Sequence, residues 1–349
     1  PLAMGIVDQF QAAGLRAWGP TQQAAQFESS KIFSQEFMDR NGIPTMQSAS
    51  FDDADGAKSF AASLDGKCAV KADGLALGKG VLICNNTDEA NGAIDQIMTD
   101  RAFGEAGSSV LIQELITGME VSLHALCDGK CAKLFPSSQD HKRALDGDEG
   151  LNTGGMGAYS PVPFLSDEKL TEIADSVLDP WLAGCAAEGI DFRGMLYPGV
   201  MLTDDGPKVL EFNARFGDPE TQVYVTRLEN DLVDLLEASI DGTLAGHELR
   251  WSAQSSVCVV MASGGYPGSY EKGKVITGIA DADALPGVKV FHAGTKLDGE
   301  NVVTSGGRVL GVTALDQGLQ AARDLAYEAA AKIQFEGAFT RTDIAAKGL

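Results

Sequence analysis

Polar side chains are concentrated where a predicted strand ends and a predicted helix begins, in the stretch VLEFNARFGDPET at residues 209–221. Side chains two apart on a strand share a face, so we expect Glu211 and Asn213 to point together while Phe212 points to the core. Two oxygen ligands on one face suit Mg²⁺, which takes few protein ligands and leaves room for phosphate oxygens. Arg215 follows, and its planar guanidinium fork is well suited to binding a phosphate. The plainer alternative is a salt bridge between Glu211 and Arg215.

Asp218 and Pro219 come next and are typical of a helix start. An aspartate accepts N–H bonds as an N-cap, and proline has the φ angle of a first helical residue. The apolar residues that follow recur at three- and four-residue spacing as far as Ile240, which predicts one long amphipathic helix. The pattern leaves open whether Asp218 only caps this helix or also contacts a substrate.

A glycine-rich loop occupies the stretch VKADGLALGKGVLI at residues 70–83. A predicted strand delivers Lys71, and the loop carries Lys79 between Gly78 and Gly80. Backbone N–H groups of such a loop can point at phosphate oxygens, and lysine adds positive charge. A strand follows directly, so this is neither a P-loop nor a dinucleotide-binding fingerprint. We interpret it as a hairpin flap over a nucleotide, with an ordinary hairpin as an equal alternative.

Two further stretches have polar residues in exposed connections. In IQELITGMEVS, at residues 112–122, linker backbone groups could pair with an adenine edge, and Glu120 could bind ribose hydroxyls. When this stretch is taken alone, a solvated Glu120 is the better explanation. In SSQDHKR, at residues 137–143, the chain has its densest basic cluster, and the glycine-rich stretch LNTGGMGAYSP follows. This pair predicts an anion-binding loop, with a solvated charge run as the alternative.

Composition narrows the class of protein. The formal net charge is −22, from 27 basic and 49 acidic residues, which argues against general binding to nucleic acid or to an anionic membrane. No apolar stretch reaches membrane-spanning length. The six cysteines include no CxxC pair and fit a reducing cytosol, so we expect a cytoplasmic protein. A chain of 349 residues predicts two or three compact units.

The elements that must position these residues follow an α/β order. Residues 1–47 predict a helix, a short strand (LRAWG) and a second helix that stops at Gly42. Because residue 1 is proline and a helical pattern begins at once, we expect further sequence upstream. Residues 48–118 predict a small α+β unit that begins with a helix.

Hairpins follow from residue 119 onward. They are predicted to turn at Asp128-Gly129 and at Asp204-Asp205-Gly206, with a helix at about 166–188 between them. Strands return after residue 255, and an alanine-rich helix follows near 316–333.

Taken together and in this order, these stretches resemble the ATP-grasp fold. The matches VKADGLALGKGV, SQDHKR, NTGGMGAYSP, EFNARFGDPETQ, GGYPG and VFHAGT are similar to the phosphoribosylamine–glycine ligase family, also called glycinamide ribonucleotide synthetase, over essentially the whole chain. The resemblance implies an α/β (α+β) protein with two ATP-grasp subdomains, a β-rich C-terminal domain and a remnant of an N-terminal α/β domain. The implied ranges are 48–118 and 119–254 for the subdomains, 255–349 for the C-terminal domain and 1–47 for the remnant.

The resemblance also implies an activity, the ATP-dependent joining of glycine to 5-phosphoribosylamine through glycyl phosphate, with Mg²⁺ or Mn²⁺ as cofactor. It implies small-molecule partners rather than nucleic acid or membrane, and a monomer or homodimer. It assigns ATP binding to Lys31, Lys71, Gly78, Lys79, Gly80, Gln113, Glu114, Ile116 and Glu120, and metal binding to Glu211 and Asn213. It assigns catalysis to Arg215, Asp140, Lys142 and Arg143, and substrate binding to His141, Asn152, Thr153, Gly154, Gly155, Asp218, His292, Lys296 and Arg308.

Two other functions remain as alternatives. One is another ATP-grasp ligase that uses a different acid or amine, which the DHKR and RFGDPETQ motifs argue against. The other is a truncated nucleotide-binding module without turnover, which the expected upstream sequence motivates.

Overall fold

The computed structural model describes residues 1–74 and 80–349, so the predicted phosphate ligands Gly78 and Lys79 lie outside the described residues. The chain forms two compact units. Unit 1 consists of Pro1–Leu134, Leu170–Arg215 and Leu235–His247, and unit 2 of Phe135–Lys169, Phe216–Asp234 and Glu248–Leu349. The four domain ranges expected from the sequence stay a prediction. No helix in the described part of the chain has the length and apolar character needed to cross a membrane.

The described part of the chain contains both helices and strands, with long runs of strands between some helices. The described α-helices are α1 (Ile6–Ala12), α2 (Gln26–Ser29), α3 (Lys31–Asn41), α4 (Ala54–Ser63), α5 (Thr87–Ile94), α6 (Asp167–Glu188), α7 (Glu220–Arg227), α8 (Leu232–Asp241), α9 (Ile279–Asp283) and α10 (Leu319–Lys332). The described strands are β1 (Ser48–Phe51), β2 (Lys67–Ala72), β3 (Val81–Asn85), β4 (Val110–Glu114), β5 (Met119–Ser122), β6 (Ala125–Asp128), β7 (Ala132–Leu134), β8 (Gln139–Asp140), β9 (Arg143–Leu145), β10 (Glu149–Asn152), β11 (Gly157–Ser160), β12 (Arg193–Thr203), β13 (Gly206–Asn213), β14 (Ser255–Ala262), β15 (Val288–His292), β16 (Thr295–Asp298), β17 (Asn301–Thr304) and β18 (Arg308–Asp316).

Unit 1 contains two antiparallel sheets. The first has the order β1-β4-β2-β3, and β2 and β3 pair from Lys67 with Asn85 to Lys71 with Val81, which confirms the predicted hairpin. The second has the order β13-β12-β6-β7, with β5 pairing the other end of β12. Both predicted later hairpins are present, since β6 pairs with β7 and β12 with β13.

An aromatic cluster anchors the second sheet. Phe27 is buried, and its ring centroid lies 4.8 Å from that of Phe37, 5.5 Å from that of Trp181 and 5.9 Å from that of Phe212. These edge-on and tilted arrangements are favourable for aromatic pairs. Phe212 is 2% exposed, so the core-facing side of β13 is determined by this cluster.

Unit 2 is built on an antiparallel sheet of order β15-β18-β14-β11-β8. Helix α10 packs against β14 and β18 through small residues such as Ala326 and Ala329, which are fully buried. The smaller pairs β9–β10 and β16–β17 belong to this unit as well. The predicted helices at about 166–188 and 316–333 are confirmed as α6 and α10.

Local capping explains the bounds of α3. The Ser30 side chain accepts a hydrogen bond from the Phe33 N–H, as an N-cap does, and Gly42 ends the helix with φ of 67°. The helix therefore stops where the sequence predicted.

Three predictions of secondary structure are wrong. The stretch LRAWG (15–19) is irregular and not a strand. It is held in unit 1 by a hydrogen bond from Trp18 Nε1 to Ser239 Oγ at 3.0 Å. The unit that begins at residue 48 opens with β1 rather than with a helix, because its short SASF run pairs with β4.

The third error concerns the helix after Asp218. The chain has α7 and α8 instead of one helix, because Leu228 takes an extended conformation (φ −69°, ψ 126°) and pairs with Trp251. The Asn230 side chain then accepts from Arg250 N at 2.6 Å, which holds the break in place. Asparagine is a weak helix former because its side chain competes for backbone groups, and here its bonds outweigh the continuing apolar spacing.

Candidate active site

The end of β13 presents oxygen ligands on the face opposite its core residue. Glu211 and Asn213 are half-buried, and Phe212 between them is buried, so the predicted alternation is confirmed. In the ladder with β12, Glu211 lies opposite Gly199 and Asn213 opposite Tyr197. These two β13 side chains therefore share one face of the sheet.

Glu120 belongs to the same face. On the other side of β12, Gly199 pairs with Ser122 and Met201 pairs with Glu120, so the side chains of Ser122 and Glu120 project on the side of Glu211. A Cβ added at Gly199 would lie 3.7 Å from Glu120 Oε1. Gly199 on β12 therefore lies between the strand of the predicted ribose ligand and the strand of the predicted metal ligands.

Lys71 is held beside this face by a β-bulge. The β12–β13 register shifts so that Val200 pairs with Val209 and Gly199 with Glu211, which leaves Leu210 as the extra residue. The carbonyl of Leu210 accepts a hydrogen bond from Lys71 Nζ at 3.1 Å. Lys71 is only 6% exposed, so a buried ammonium group is fixed at the end of the flap hairpin.

The base of the flap is also tied to α3. Asp73 accepts from Ser30 Oγ at 3.0 Å and from Ile32 N at 3.2 Å, and Lys31 Nζ donates to the Gly74 carbonyl at 3.3 Å. The Gly80 carbonyl, one residue before β3, accepts a hydrogen bond from Ala72 N at 2.8 Å. Lys31, Lys71 and Gly80 thus lie at the base of the loop, and their assignment to ATP phosphates stays a prediction. Asp73 is an organising residue that the sequence did not reveal.

Arg215 is oriented by Glu28. Arg215 Nε donates to Glu28 Oε1 at 3.1 Å, and Ala214 N donates to the other carboxylate oxygen at 2.9 Å. Arg215 Nη2 also donates to Asn213 Oδ1 at 3.2 Å. The Arg215 guanidinium therefore contacts the predicted metal ligand Asn213. It is held there by Glu28, which belongs to none of the motifs recognised in the sequence.

The predicted adenine linker at 113–116 begins inside β4, and its first residue is buried. Gln113 is 2% exposed and donates from Nε2 to Gln35 Oε1 at 2.7 Å, so its side chain supports the core. Glu114 and Ile116 are half-buried. Their assignment to adenine, together with that of Gln113, stays a prediction.

A buried histidine stands behind Tyr197. His124 is fully buried and stacks on the Tyr197 ring with centroids 4.0 Å apart. Burial, and secondarily the positive charge of Arg215, holds the pKa of His124 well below its usual range. The neutral imidazole therefore supports the Tyr197 ring opposite Asn213 without adding a charge.

The basic cluster of unit 2 divides into buried and accessible members. Asp140, Lys142 and Arg143 are half-buried, and Arg143 Nη1 donates to the Gly150 carbonyl at 2.7 Å. His141 is fully buried: its Nε2 accepts from Ala345 N at 3.3 Å and its Nδ1 lies 3.2 Å from the Gly157 carbonyl. Burial lowers the pKa of His141 to about 4. These bonds favour a structural role for His141, and its assignment to substrate binding stays a prediction.

The glycine loop after β10 folds back on the cluster. Thr153 donates to the Lys142 carbonyl from both N (2.8 Å) and Oγ1 (2.9 Å), and Gly155 N donates to Thr153 Oγ1 at 3.0 Å. Gly155 has φ of 113°, and a Cβ there would lie 2.4 Å from Pro219 Cδ. Only glycine fits this position.

Arg308 and Tyr266 hold the same loop from the other side. Arg308 Nη1 donates to the carbonyls of Gly154 (2.8 Å) and Asp218 (2.7 Å), and Tyr266 Oη accepts from Gly154 N at 3.1 Å. Tyr266 belongs to the GGYPG motif, but its bond to the loop was not foreseen.

The prediction that Asp218 caps a helix is wrong. Helix α7 begins after Pro219 with no side-chain cap, and the Asp218 carboxylate instead accepts from Gln222 Nε2 at 2.9 Å and pairs with Arg308 at 3.3 Å. Asp218 is exposed, as are Asn152, His292 and Lys296. His292 Nδ1 lies 3.0 Å from Thr295 Oγ1 on the neighbouring turn. Substrate binding by these residues stays a prediction.

Within residues 1–74 and 80–349, no three His, Cys, Asp or Glu side chains are grouped as a metal site. The metal prediction rests on one carboxylate and one amide, Glu211 and Asn213, and a pair of this kind suits a cation that takes its other ligands from phosphate and water.

The fold is that of an ATP-grasp protein. The family model of the phosphoribosylglycinamide synthetase ATP-grasp (A) domain matches residues 29–221, and that of the C domain matches residues 256–347. These matches cover more than half of the chain, which belongs to the phosphoribosylglycinamide synthetase family. The predictions of fold class and family are therefore confirmed.

Relatives and solved structures agree with this placement. A phosphoribosylamine–glycine ligase of Vibrio cholerae is 47% identical over 99% of this chain and 80% of its own length. The human trifunctional purine biosynthetic protein adenosine-3 is 50% identical over 99% of this chain, which spans 34% of that protein. The crystal structure of phosphoribosylamine–glycine ligase from Thermotoga maritima, 35% identical, superposes with a TM-score of 0.83 over 94% of this chain and 81% of that one. A biotin carboxylase from Campylobacter jejuni, 13% identical, shares the fold alone, with a TM-score of 0.76 over 96% of this chain and 73% of that one.

Proposed function

We propose that this chain uses ATP to join glycine to 5-phosphoribosylamine, giving glycinamide ribonucleotide, ADP and phosphate. The observation that carries the proposal is the single face of the β5–β12–β13 sheet, where Glu120, Glu211 and Asn213 project together and Lys71 is anchored alongside. Relatives that carry the name phosphoribosylamine–glycine ligase match nearly the whole chain, which supports this choice of substrates.

The residues of unit 1 fit a metal-bound nucleotide. The buried Lys71 ammonium and the nearby Lys31 supply positive charge for phosphate oxygens, and Glu211 and Asn213 supply hard oxygen ligands. When bound there, Mg²⁺ or Mn²⁺ would neutralise charge on those phosphates. Lys79, Gly78 and the linker at 113–116 complete the proposed ATP site, with Glu120 on the ribose.

The chemistry needs activation of a carboxylate. The glycine carboxylate attacks the terminal phosphorus of ATP, the bond to ADP breaks, and glycyl phosphate forms. The amine of phosphoribosylamine then attacks the acyl carbon and expels phosphate. The protein positions the groups and balances charge on the transferring phosphoryl group, for which Arg215 is the proposed ligand.

The loops of unit 2 supply the proposed acid and amine ligands. Lys142 and Arg143 give positive charge to anionic groups, and Asp140 can accept hydrogen bonds from an amine. The 152–155 loop is held by Arg308 and is proposed to border the glycine and the acyl phosphate. Among the weaker candidates, His292 and Lys296 are proposed for the phosphate of the second substrate.

One assay separates the candidate functions. ADP release is measured with glycine, with and without phosphoribosylamine generated in the reaction. Release that requires both substrates supports the ligase. Release with another amino acid but not with glycine would refute it in favour of a different ATP-grasp ligase. ATP binding without any turnover would favour a binding module.

The metal assignment predicts a specific defect in Glu211→Gln. The loss of a charged ligand is expected to lower turnover about 10- to 100-fold at moderate Mg²⁺, with partial recovery at high Mg²⁺. Asp204→Asn is the matched control, because Asp204 is an exposed acid in the turn of the same hairpin. Steady-state rates against Mg²⁺ concentration test this, and equal curves for the two variants would contradict the assignment.

A further inference from the structure

Residues 339–348 cross unit 2 and touch the segment that carries the basic cluster. Phe339 pairs with Ala262 of β14 through N–H···O bonds of 2.9 and 3.0 Å. Helix α10 binds the next residues, with Arg323 donating to the carbonyls of Ile344 (2.8 Å) and Thr342 (2.7 Å). The 339–348 segment is therefore attached to β14 and to α10.

Arg341 reaches from that segment to the basic cluster. Its side chain is fully buried, and Nη1 donates to the Arg143 carbonyl at 3.0 Å and to Asp148 Oδ1 at 3.1 Å. Nε and Nη2 bind both carboxylate oxygens of Asp343 at 2.7 Å. Asp343 in turn accepts from Gly147 N at 2.8 Å. One guanidinium thus holds the backbone at Arg143 and, through Asp343, the turn that follows.

Other contacts from the 339–348 segment reach the same cluster on both sides of Arg143. Thr342 N donates to Asp146 Oδ1 at 2.8 Å, and Lys347 pairs with Asp148. Ala345 N donates to His141 Nε2 at 3.3 Å. The stretch 141–148 is therefore held at its start, its middle and its end.

From this geometry we infer that Arg341 and the 339–348 segment position Lys142 and Arg143 for the reaction, an inference that rests on the proposed function. Lys142 and Arg143 sit on a short stretch that is also supported by the β9–β10 pairing and by backbone bonds from Thr153 and Met156. A pair of short strands is only marginally stable by itself, so β9 and β10 depend on neighbouring elements for support. Arg341 is a positioning residue: its donors go to the backbone and to carboxylates, and it acts through Arg143.

The test is Arg341→Lys, which keeps the charge but loses the fork that serves Arg143, Asp148 and Asp343 together. Arg227→Lys is the matched control: Arg227 is also a buried arginine of unit 2, and its donors go to Ser160 Oγ (2.6 Å) and Ser252 O (3.1 Å). Both variants are made in the full chain. They are compared at the same number of degrees below their respective melting temperatures.

Two readouts separate positioning from general loss of stability. In Arg341→Lys, kcat/KM for glycine is expected to fall about 10- to 100-fold, since a displacement near 1 Å can cost that much, while the dissociation constant of ADP stays within about twofold. Hydrogen exchange of the amides at 141–153 is expected to rise at least about tenfold. Arg227→Lys is expected to change neither quantity beyond about twofold.

The outcomes distinguish the inference from the proposed function. If exchange at 141–153 is the same in both variants, the inference is wrong whatever the activity. If exchange rises but kcat/KM for glycine matches that of Arg227→Lys, the inference is also wrong. If the wild-type chain shows no glycine-dependent turnover, the proposed function fails, and the exchange comparison alone then supports or overturns the positioning of this segment.

Discussion

The buried histidine of the basic cluster predicts a defined loss of stability in weak acid. His141 is fully buried and uses both ring nitrogens on backbone groups, so a second proton would break the bond from Ala345 N. Burial, reinforced by the positive charges of Arg341 and Lys347, lowers the pKa of His141 from 6.5 to about 4, while the Gly157 carbonyl and Asp343 act in the opposite direction.

The sign and size follow from proton linkage. The unfolded chain binds a proton at this site near pH 6.5 and the folded chain only near pH 4, so unfolding takes up a proton between these values. The stabilising contribution of neutral His141 is fully present above pH 6.5 and is lost as the pH falls. Each pH unit removes about 1.4 kcal/mol, so the loss is about 2 kcal/mol at pH 5 and roughly 3 kcal/mol at pH 4.

The assay compares wild type with His141→Gln, which keeps an acceptor for Ala345 N but does not titrate in this range. Urea titrations at pH 5.0 and 8.0 give the free energy of unfolding of unit 2, with hydrogen exchange of the β14 amides as the local probe. The variant is expected to be less stable at pH 8.0 and to lack about 2 kcal/mol of the pH dependence.

Other groups do not mimic this difference. His124, whose pKa is also lowered by burial, lies in unit 1 and contributes equally to both proteins. Asp148 and Asp343 have lowered pKa values as well, and their contributions are lost only as the pH falls below the ordinary range of a carboxyl. Equal pH dependence in wild type and His141→Gln would refute the buried, neutral histidine on which the reasoning rests.

Two further predictions each concern one residue, Gly155 in unit 2 and Glu28 in unit 1. Gly155→Ala is expected to lower glycine-dependent turnover about 100-fold, because φ is 113° and the added methyl would meet a proline ring at 2.4 Å. Gly92→Ala, in α5 with ordinary backbone angles and open space, is expected to stay within about twofold, and steady-state kinetics of both variants check this. Glu28→Gln is expected to lower kcat about tenfold with little change in the ADP dissociation constant, since it loosens Arg215 but removes no nucleotide ligand. Glu36→Gln, which alters an exposed acid on α3, is the control, and equal kcat values for the two variants would contradict the role given to Glu28.

Local patterns predicted the parts of the site that local forces determine. The alternation around Phe212, the hairpin turns and the helix stop at Gly42 each depend on residues within a few positions, and the structure has all three. Even the break between α7 and α8 has a local signal, since Asn230 favours side-chain bonds to the backbone over a helix interior. The apolar spacing outweighed that signal in the sequence interpretation.

The residues that the sequence did not reveal act over long distances along the chain. Glu28 orients a backbone and a guanidinium 186 and 187 positions away, and Arg341 binds Asp148 across 193 positions. Neither residue belongs to a motif with its partner, because the fold alone brings them together. A single sequence contains the types of such residues but not their pairing.

The strand β13 explains why ligand residues and core residues alternate so tightly at this site. A slip of one position would turn Phe212 toward the ligand face and bury Glu211 and Asn213. The ring cluster around Phe27 resists that slip, since burying an unpaired carboxylate among aromatic side chains is far more costly than burying a ring. The bulge at Leu210 then shifts the register by one residue and turns its carbonyl to Lys71. The aromatic core therefore sets the direction of the proposed metal ligands, and the bulge sets where the lysine meets them.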